Sequence, residues 1–416
     1  MWQPLLGGEL RRKALQCAGE IAEDLVRCLP RMQDDTLGID SARMAVYLHY
    51  HARSMPGHLA KLPIRQLLDD SMTALETRPM LPALHGGFVG IAWAMAHLAD
   101  YWMQPGSGDP MEEIDETLLE ALTAARWDGD YDLINGLSGI GVYALERLPG
   151  KAASALAAAV VRQLEDRCES SEAGIAWFTA PDLMRGTARQ ESPLGAYNLG
   201  MAHGMPGVIG FLGGALAAGI LPEQTERLLR GTFAWMLAQL QPAKAPSRFY
   251  RCIGPGIDPV PARTGWCYGD PGVAIALENA ARLAGVPAWS SEARAIARSA
   301  AERTLEESGV VDASFCHGAA GLVQIFNRLQ HSARDPVLAA AARRWVAELI
   351  GMRRIGEPYG GFPMRVIGED GRAGWEANAD MLDGAAGVGL TLLAAATAVE
   401  PHWDRLFMLS TAVGRP

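Results

Sequence analysis

Two thiols and two imidazoles fall at matching places in the chain. Cys267 stands in "TGWCYGDPG" and Cys316 with His317 in "FCHGAAGL", each cysteine two residues before a Gly-x-x-G motif. Two cysteines and one histidine are the ligand set of a catalytic zinc that keeps one position open, and soft sulfur donors favour zinc over magnesium or calcium. In "MAHGMPGV", His203 takes the place that Tyr268 and His317 take in the other two motifs, directly before the first glycine. Each residue also has a plainer reading. A lone cysteine in an Ala/Gly-rich chain is usually a small buried hydrophobe, which is the expectation for Cys17, Cys28, Cys168 and Cys252. A lone histidine is more often a satisfied core residue. Asp132 in "DYDLINGLSGIG" suits a helix cap, and Arg263 in "ARTGWCYG" suits an ordinary loop cation. Shared position is what lifts Cys267, Cys316, His317 and His203 above these readings.

The elements that must position them are repeats. Gly-x-x-G followed by an apolar helical run begins at Gly87, Gly136, Gly204, Gly269, Gly318 and Gly384, and a degenerate copy at Gly38 has Ser41 in place of the second glycine. The step is 49 residues from Gly38 to Gly87, from Gly87 to Gly136 and from Gly269 to Gly318, and 65 to 68 residues elsewhere. A fixed period of this kind marks a repeat architecture, here with insertions in three units. Between the motifs, segments such as 222–240, 290–307 and 335–352 have helical period; in the last, Asp335 is placed to cap and Pro336 to occupy the first helical position. Each unit reads as a polar-faced helix, a loop and a small-residue helix, and no stretch reads as an extended sheet. Ala/Gly-rich helices allow close backbone approach and suit an inner layer, while amphipathic helices suit an outer one. The expected fold is all-α: an α/α toroid, a double-layered helical barrel of seven helical-hairpin repeats, forming one domain over residues 1–416. An open solenoid is the competing arrangement. In a closed ring the equivalent loops share one rim, which gathers the thiols and imidazoles at its mouth.

Composition narrows the function. The formal charge is −10 with no Lys/Arg block, so a nucleic-acid partner is excluded. Hydrophobic residues at 49% and charged residues at 20% give a folded globular chain. There is no charge-free run of about 18 apolar residues, and the N-terminus lacks the order of a signal peptide, so no membrane span and a cytoplasmic location are expected. Six cysteines are too sparse for a disulfide scaffold.

The motifs "NGLSGIG", "MAHGMPGV", "GWCYGDPG" and "FCHGAAGL", in that order, resemble the lanthionine synthetase C-like family, the cyclases of lantibiotic biosynthesis, and with the outer repeats the resemblance covers nearly the whole chain. It implies an α/α toroid with a central zinc ion (Zn2+) held by Cys267, Cys316 and His317, and active-site roles for Asp132, His203, Arg263 and Tyr268. The "WCYG" form looks like the bacterial peptide cyclases more than the animal homologues, which usually have histidine where Tyr268 stands. The best-described bacterial cyclase carries an inserted domain, whereas the longest excess here over the base unit is 19 residues, between Gly136 and Gly204. Elongated loops and a different mode of peptide docking are therefore expected. With no dehydratase-sized region ahead of the toroid, the chain resembles a stand-alone cyclase.

The implied reaction is Michael-type addition of a peptide cysteine thiol to dehydroalanine or dehydrobutyrine, giving (methyl)lanthionine rings. The implied substrate is a dehydrated precursor peptide with leader and core. A separate dehydratase and an export transporter are implied partners, with peripheral attachment to a membrane biosynthetic complex. Free cysteine has a pKa of about 8.5, so zinc is expected to raise the thiolate fraction. His203, oriented by Asp132, is expected to take the thiol proton and return one to the enolate; Arg263 is expected to stabilise developing negative charge, and Tyr268 either donates a hydrogen bond or lines the cavity. Competing readings are addition of glutathione in place of the peptide thiol, a non-catalytic peptide-binding scaffold stapled by zinc, and a glycoside hydrolase. The last needs two carboxylates flanking the cavity and leaves the cysteines without purpose.

Overall fold

Each of the six clear Gly-x-x-G motifs opens a helix, and at Gly87, Gly136, Gly204, Gly318 and Gly384 the loop before it folds back onto the helix start. At Gly136 a Cβ would fall on the Asp130 carbonyl oxygen, so only glycine fits. The first N–H groups of a helix have no partner within it, and that same loop supplies one: Leu137 N–H donates to the Asp130 carbonyl (3.1 Å) and Ser138 N–H to the Tyr131 carbonyl (3.1 Å). The motif at Gly318 repeats this, with Ala319 N–H donating to Asp312 (3.0 Å) and Ala320 N–H to Ala313 (3.3 Å). None of the six glycine caps uses a side chain. The helix starts themselves are thus held by backbone, while side-chain carboxylates such as Asp132 and Asp312 tie the loops just ahead of them.

The computed structural model describes residues 2–31, 34–104, 106, 108–184, 186–368 and 372–411, with side chains for all of these except residues 31, 34–39 and 187. Among them, the small-residue helices are Phe88–His97, Leu137–Glu146, Met205–Ala217, Asp270–Leu283, Ala319–Ala333 and Ala385–Ala396. The degenerate copy behaves differently: Gly38 and Ser41 both lie inside the helix Asp34–Ser54. Without a second glycine the loop cannot fold back against the helix, and the helix begins earlier. Preceding these seven helices in alternation are amphipathic ones: Gly8–Cys28, Ile64–Thr77, Glu112–Ala124, Lys151–Arg167, Pro222–Ala238, Pro287–Ala301 and Pro336–Gly351. Asp335 caps the last as expected, accepting from Val337 N–H at 2.9 Å.

The chain divides into two compact units. The first comprises Met1–Pro79, Thr264–Trp266 and Ala301–Pro401. Within it, helix Ala385–Ala396 packs on Gly8–Cys28, Asp34–Ser54 and Ala319–Ala333, and a buried ion pair joins Arg43 to Asp380 at 2.6 Å. The second comprises Met80–Arg263, Cys267–Ala300 and His402–Pro416. Here Phe88–His97 packs on Leu137–Glu146, that helix on Met205–Ala217, and that in turn on Asp270–Leu283. Small residues set the spacing: a Cβ on Gly213 would lie 3.2 Å from the Ala280 Cα.

The insertions hold what the sequence reading lacked, three short antiparallel ribbons. Glu169–Ser171 pairs with Gly174–Ala176, Tyr197–Asn198 with Cys252–Ile253, and Met364–Ile367 with Ala373–Glu376. Strands of two to four residues are too short for an alternating pattern to show. The second ribbon ties the insertion ahead of Gly204 to the one ahead of Gly269. Among the described residues all six cysteines are thiols; Cys17 is buried as expected, but Cys28, Cys168 and Cys252 are only half-buried. Cys28 ends a helix, Cys168 caps one, and Cys252 sits in a two-residue strand, so none reaches a core.

Candidate active site

The loops before the glycines are tied to one another through their backbones. In the second unit His85 N–H donates to the Ile134 carbonyl (3.1 Å), Leu133 N–H to Ala202 (3.1 Å) and Ala202 N–H to Cys267 (3.2 Å). In the first, Trp266 N–H donates to Cys316 (3.1 Å) and Cys316 N–H to Leu382 (2.9 Å). The acceptor is in every case the residue two places before the first glycine. Side chains at the last two positions of each loop therefore stand beside those of the next, and Cys267 directly follows the residue bonded to Cys316. One ligand atom each from Cys267, Cys316 and His317 lies within 4.8 Å of the other two. Zinc bonds of about 2.3 Å to sulfur and 2.0 Å to nitrogen put neighbouring ligand atoms roughly 4 Å apart. Both the spacing and the soft donor set fit zinc.

His317 is backed by carboxylates of its own unit, with Nε2 3.5 Å from Asp312 and Nδ1 3.9 Å from Asp383. Buried Asp312 accepts from the N–H (3.0 Å) and hydroxyl (2.8 Å) of Ser314 and from Arg365 N–H (3.0 Å). Burial works against its charge, but His317 and these donors prevail and hold its carboxyl down at about 2. A carboxylate behind a ligating imidazole fixes the ring's orientation and tautomer. Sequence reasoning missed Asp312. It stands six residues before Gly318, as Asp130 stands before Gly136, and counting back that far finds both.

In the second unit Asp132 is fully buried. One of its oxygens accepts from Asn135 N–H at 2.7 Å and the other meets His203 Nδ1 in a short contact. His203 keeps 38% of its side chain accessible, so its remaining nitrogen can reach a bound molecule. Burial disfavours charge on His203, yet the bond to Asp132 and the negative charges of Asp132, Asp130 and Cys267 outweigh it and raise its pKa above the ordinary histidine value. Asp130 is a further residue the sequence did not flag. It accepts from the N–H groups of Tyr131 (2.7 Å) and Asp132 (3.3 Å), and burial together with the Asp132 charge pushes its carboxyl up to about 7.

Tyr268 and Arg263 stand near this pair and Cys267. The Tyr268 ring centre is 6.1 Å from that of His203, and its hydroxyl accepts from the Asn198 amide at 3.1 Å. Burial raises the phenol well above its ordinary value, so Tyr268 stays neutral with its proton available to donate. Arg263 is exposed and reaches Cys267 Sγ at 3.9 Å. The Gly-Asp-Pro-Gly corner after them is a clamp. Buried Asp270 accepts from the N–H groups of Arg248 (2.9 Å) and Phe249 (3.1 Å), and Gly269 has φ +150°, which a side chain rarely adopts.

A family model described as lanthionine synthetase C-like protein matches residues 43–408. The nisin biosynthesis protein NisC of Lactococcus lactis subsp. lactis is 26% identical over 279 residues, which are 59% of this chain and 62% of that protein. The match thus spans somewhat under two thirds of the relative's length. Among solved structures, that of a nisin cyclase superposes with a TM-score of 0.72 at 19% identity, covering 94% of this chain and 95% of the other. A sugar epimerase from a ruminal bacterium gives 0.50 at 11% identity, covering 92% and 98%. At such identities the structural likeness speaks to fold, and the all-α toroid class expected from the repeats is borne out by the first of the two.

Proposed function

Because the chain belongs to the lanthionine synthetase C-like family, we propose that it is a zinc-dependent lanthipeptide cyclase, with residues 1–416 forming one domain. The observation that carries this reading is the grouping of Cys267, Cys316 and His317, with His203, paired to Asp132, standing on the loop bonded to Cys267. Zinc held by those three residues would supply activation of the substrate thiol, of which only a few per cent is thiolate at neutral pH.

The chain's own residues handle the proton. His203 Nδ1 is committed to Asp132, which fixes the tautomer and leaves Nε2 to take the proton of the substrate thiol. As the sulfur bonds to the β-carbon of dehydroalanine or dehydrobutyrine, the electron pair of the double bond moves toward the α-carbon and its carbonyl. The Arg263 guanidinium and the Tyr268 hydroxyl are placed to stabilise that charge. His203 then returns the proton to the α-carbon, so the thioether forms without change of mass. The substrate is a dehydrated precursor peptide carrying leader and core, supplied by a separate dehydratase and passed to an export transporter. Among the described residues no helix is long and apolar enough to cross a membrane, in keeping with a cytoplasmic enzyme attached peripherally to a membrane biosynthetic complex.

The test is to incubate zinc-loaded protein with a synthetic peptide holding one dehydroalanine and one cysteine, with and without glutathione. Loss of the free thiol at constant mass is expected in both. A glutathione adduct would transfer the proposal to an external thiol, and absence of zinc from purified protein, or an intact thiol, would overturn it.

A further inference from the structure

Beside Tyr268 and Arg263 the second unit holds a cavity of about 600 Å³. The 49-residue repeat does not make it; the two insertions do. Its floor is a small antiparallel arrangement in which Thr179 pairs with Ala196, Asn198 with Cys252, and Tyr250 with Pro261. The short helix Gly186–Glu191 gives one wall and residues 260–262 another. The volume is in the range of cavities that take a small ligand or a large side chain.

Charge and exposure indicate what it takes. Glu191 and Arg251, which both line the cavity, form an ion pair, so each is answered by the other. Most of what remains is apolar: Met184 and Ala188 on one side, Val260 and Ala262 on the other. Val260 is 59% exposed, an aliphatic side chain that the described residues leave uncovered at the cavity. Tyr268 and Arg263 form the end of the cavity nearest Cys267. In an extended peptide successive residues advance about 3.3–3.6 Å, so a peptide reacting at Cys267 and His203 carries its neighbouring residues past that end.

We propose that this cavity is a substrate subsite that receives a large apolar side chain on a residue flanking the one that reacts. That the occupant is a dehydrated peptide rests on the cyclase reading. The subsite predicts that the insertions, rather than the repeat, select among peptides.

Two fluorescein-labelled synthetic heptapeptides test it, each with a single dehydroalanine and differing only in the next residue, leucine or aspartate. Fluorescence anisotropy on the zinc-loaded protein should give about tenfold tighter binding of the leucine peptide. Val260→Asp and Ala188→Trp, both at exposed positions, should erase that preference, and Ile355→Asp, at an exposed apolar position outside the cavity, should keep it. Equal affinity of the unaltered protein for the two peptides, or a preference that survives both cavity substitutions, overturns the subsite. Thioether formation is read separately with cysteine-bearing versions of the same peptides. Selective binding without thiol loss overturns the cyclase reading and leaves the subsite standing, while thiol loss without selectivity does the reverse.

Discussion

Asp132 and Asp380 occupy the same place in two different repeats, four residues before Gly136 and Gly384. Both are buried. Each uses one oxygen to accept a backbone N–H of its own loop, from Asn135 at 2.7 Å and from Leu382 at 3.2 Å. Each turns the other oxygen to a basic side chain of another repeat, His203 in one case and Arg43 in the other. The partners differ in kind. Arg43 is permanently charged with its side chain 5% exposed, so the pair is a fixed tie between the helix Asp34–Ser54 and the loop before Gly384. His203 titrates and is 38% exposed, so its pair can hold and release a proton in contact with a ligand. Two of the six motifs carry a carboxylate at this place, and the residue facing it decides whether that carboxylate serves folding or chemistry.

The largest expected break in this comparison is Asp132→Asn, which should lower the cyclisation rate about 10²–10⁴-fold while unfolding in urea shifts by no more than about 1 kcal/mol, because asparagine can still accept from Asn135. Since Asp132 is what holds the His203 pKa up against burial, the acid limb of the residual rate should also move to lower pH. An unfolded Asp132→Asn protein would put the two aspartates in one class.

Asp380→Ala should do the opposite, removing the carboxylate from a buried arginine and costing about 3–5 kcal/mol in urea unfolding, with turnover per folded molecule within about twofold. A third substitution, Arg43→His, should turn the tie into a titrating pair. A histidine facing a carboxylate has its folded pKa raised, so the stabilisation should be complete below about pH 6.5 and fall by about 1–2 kcal/mol as pH rises through the folded value. A flat stability profile for that variant would count against the comparison.

The smallest effect concerns Asp130. Its folded pKa of about 7 lies above the ordinary carboxylate value, so the native protein binds this proton more tightly than the unfolded chain does. The resulting stability is complete at acid pH and is lost as pH rises through about 7. Asp130→Asn should remove this slope and gain about 1–2 kcal/mol on the unaltered protein between pH 5 and pH 8, after allowance for solvent screening. Parallel profiles would show that Asp130 is not held protonated.

Much of this was legible in the sequence because glycine spacing carries geometry. Counting back from Gly204, Gly269 and Gly318 places His203, Cys267, Cys316 and His317 in equivalent loops, and the excess over 49 residues locates the three insertions, though not the ribbons within them. The two nearest positions can be compared from loop to loop, whereas deeper ones stand out only where a motif singles them out, as at Asp132 and Arg263. Asp312 at the sixth place back, and Asp380 at the fourth, lie at positions the other glycine motifs also have, and only the side chains opposite them give them meaning. Arg43 was beyond reach for a physical reason: it lies on the degenerate copy, where the helix starts before Gly38 and the register is lost. The strands at 197–198 and 252–253 hold by pairing between two insertions 55 residues apart, which no local pattern encodes.

The bonds from loop to loop run through amides and carbonyls, as from Ala202 to Cys267 and from Cys316 to Leu382. Those bonds ask nothing of the side chains at those places. Cysteine, leucine, alanine and isoleucine all occupy the acceptor position in one chain and the same bond forms. Chemistry in this protein is therefore exchangeable at fixed addresses: a scaffold of this kind can acquire, lose or replace a reactive group by single substitutions, and the structure that presents it does not have to be rediscovered each time.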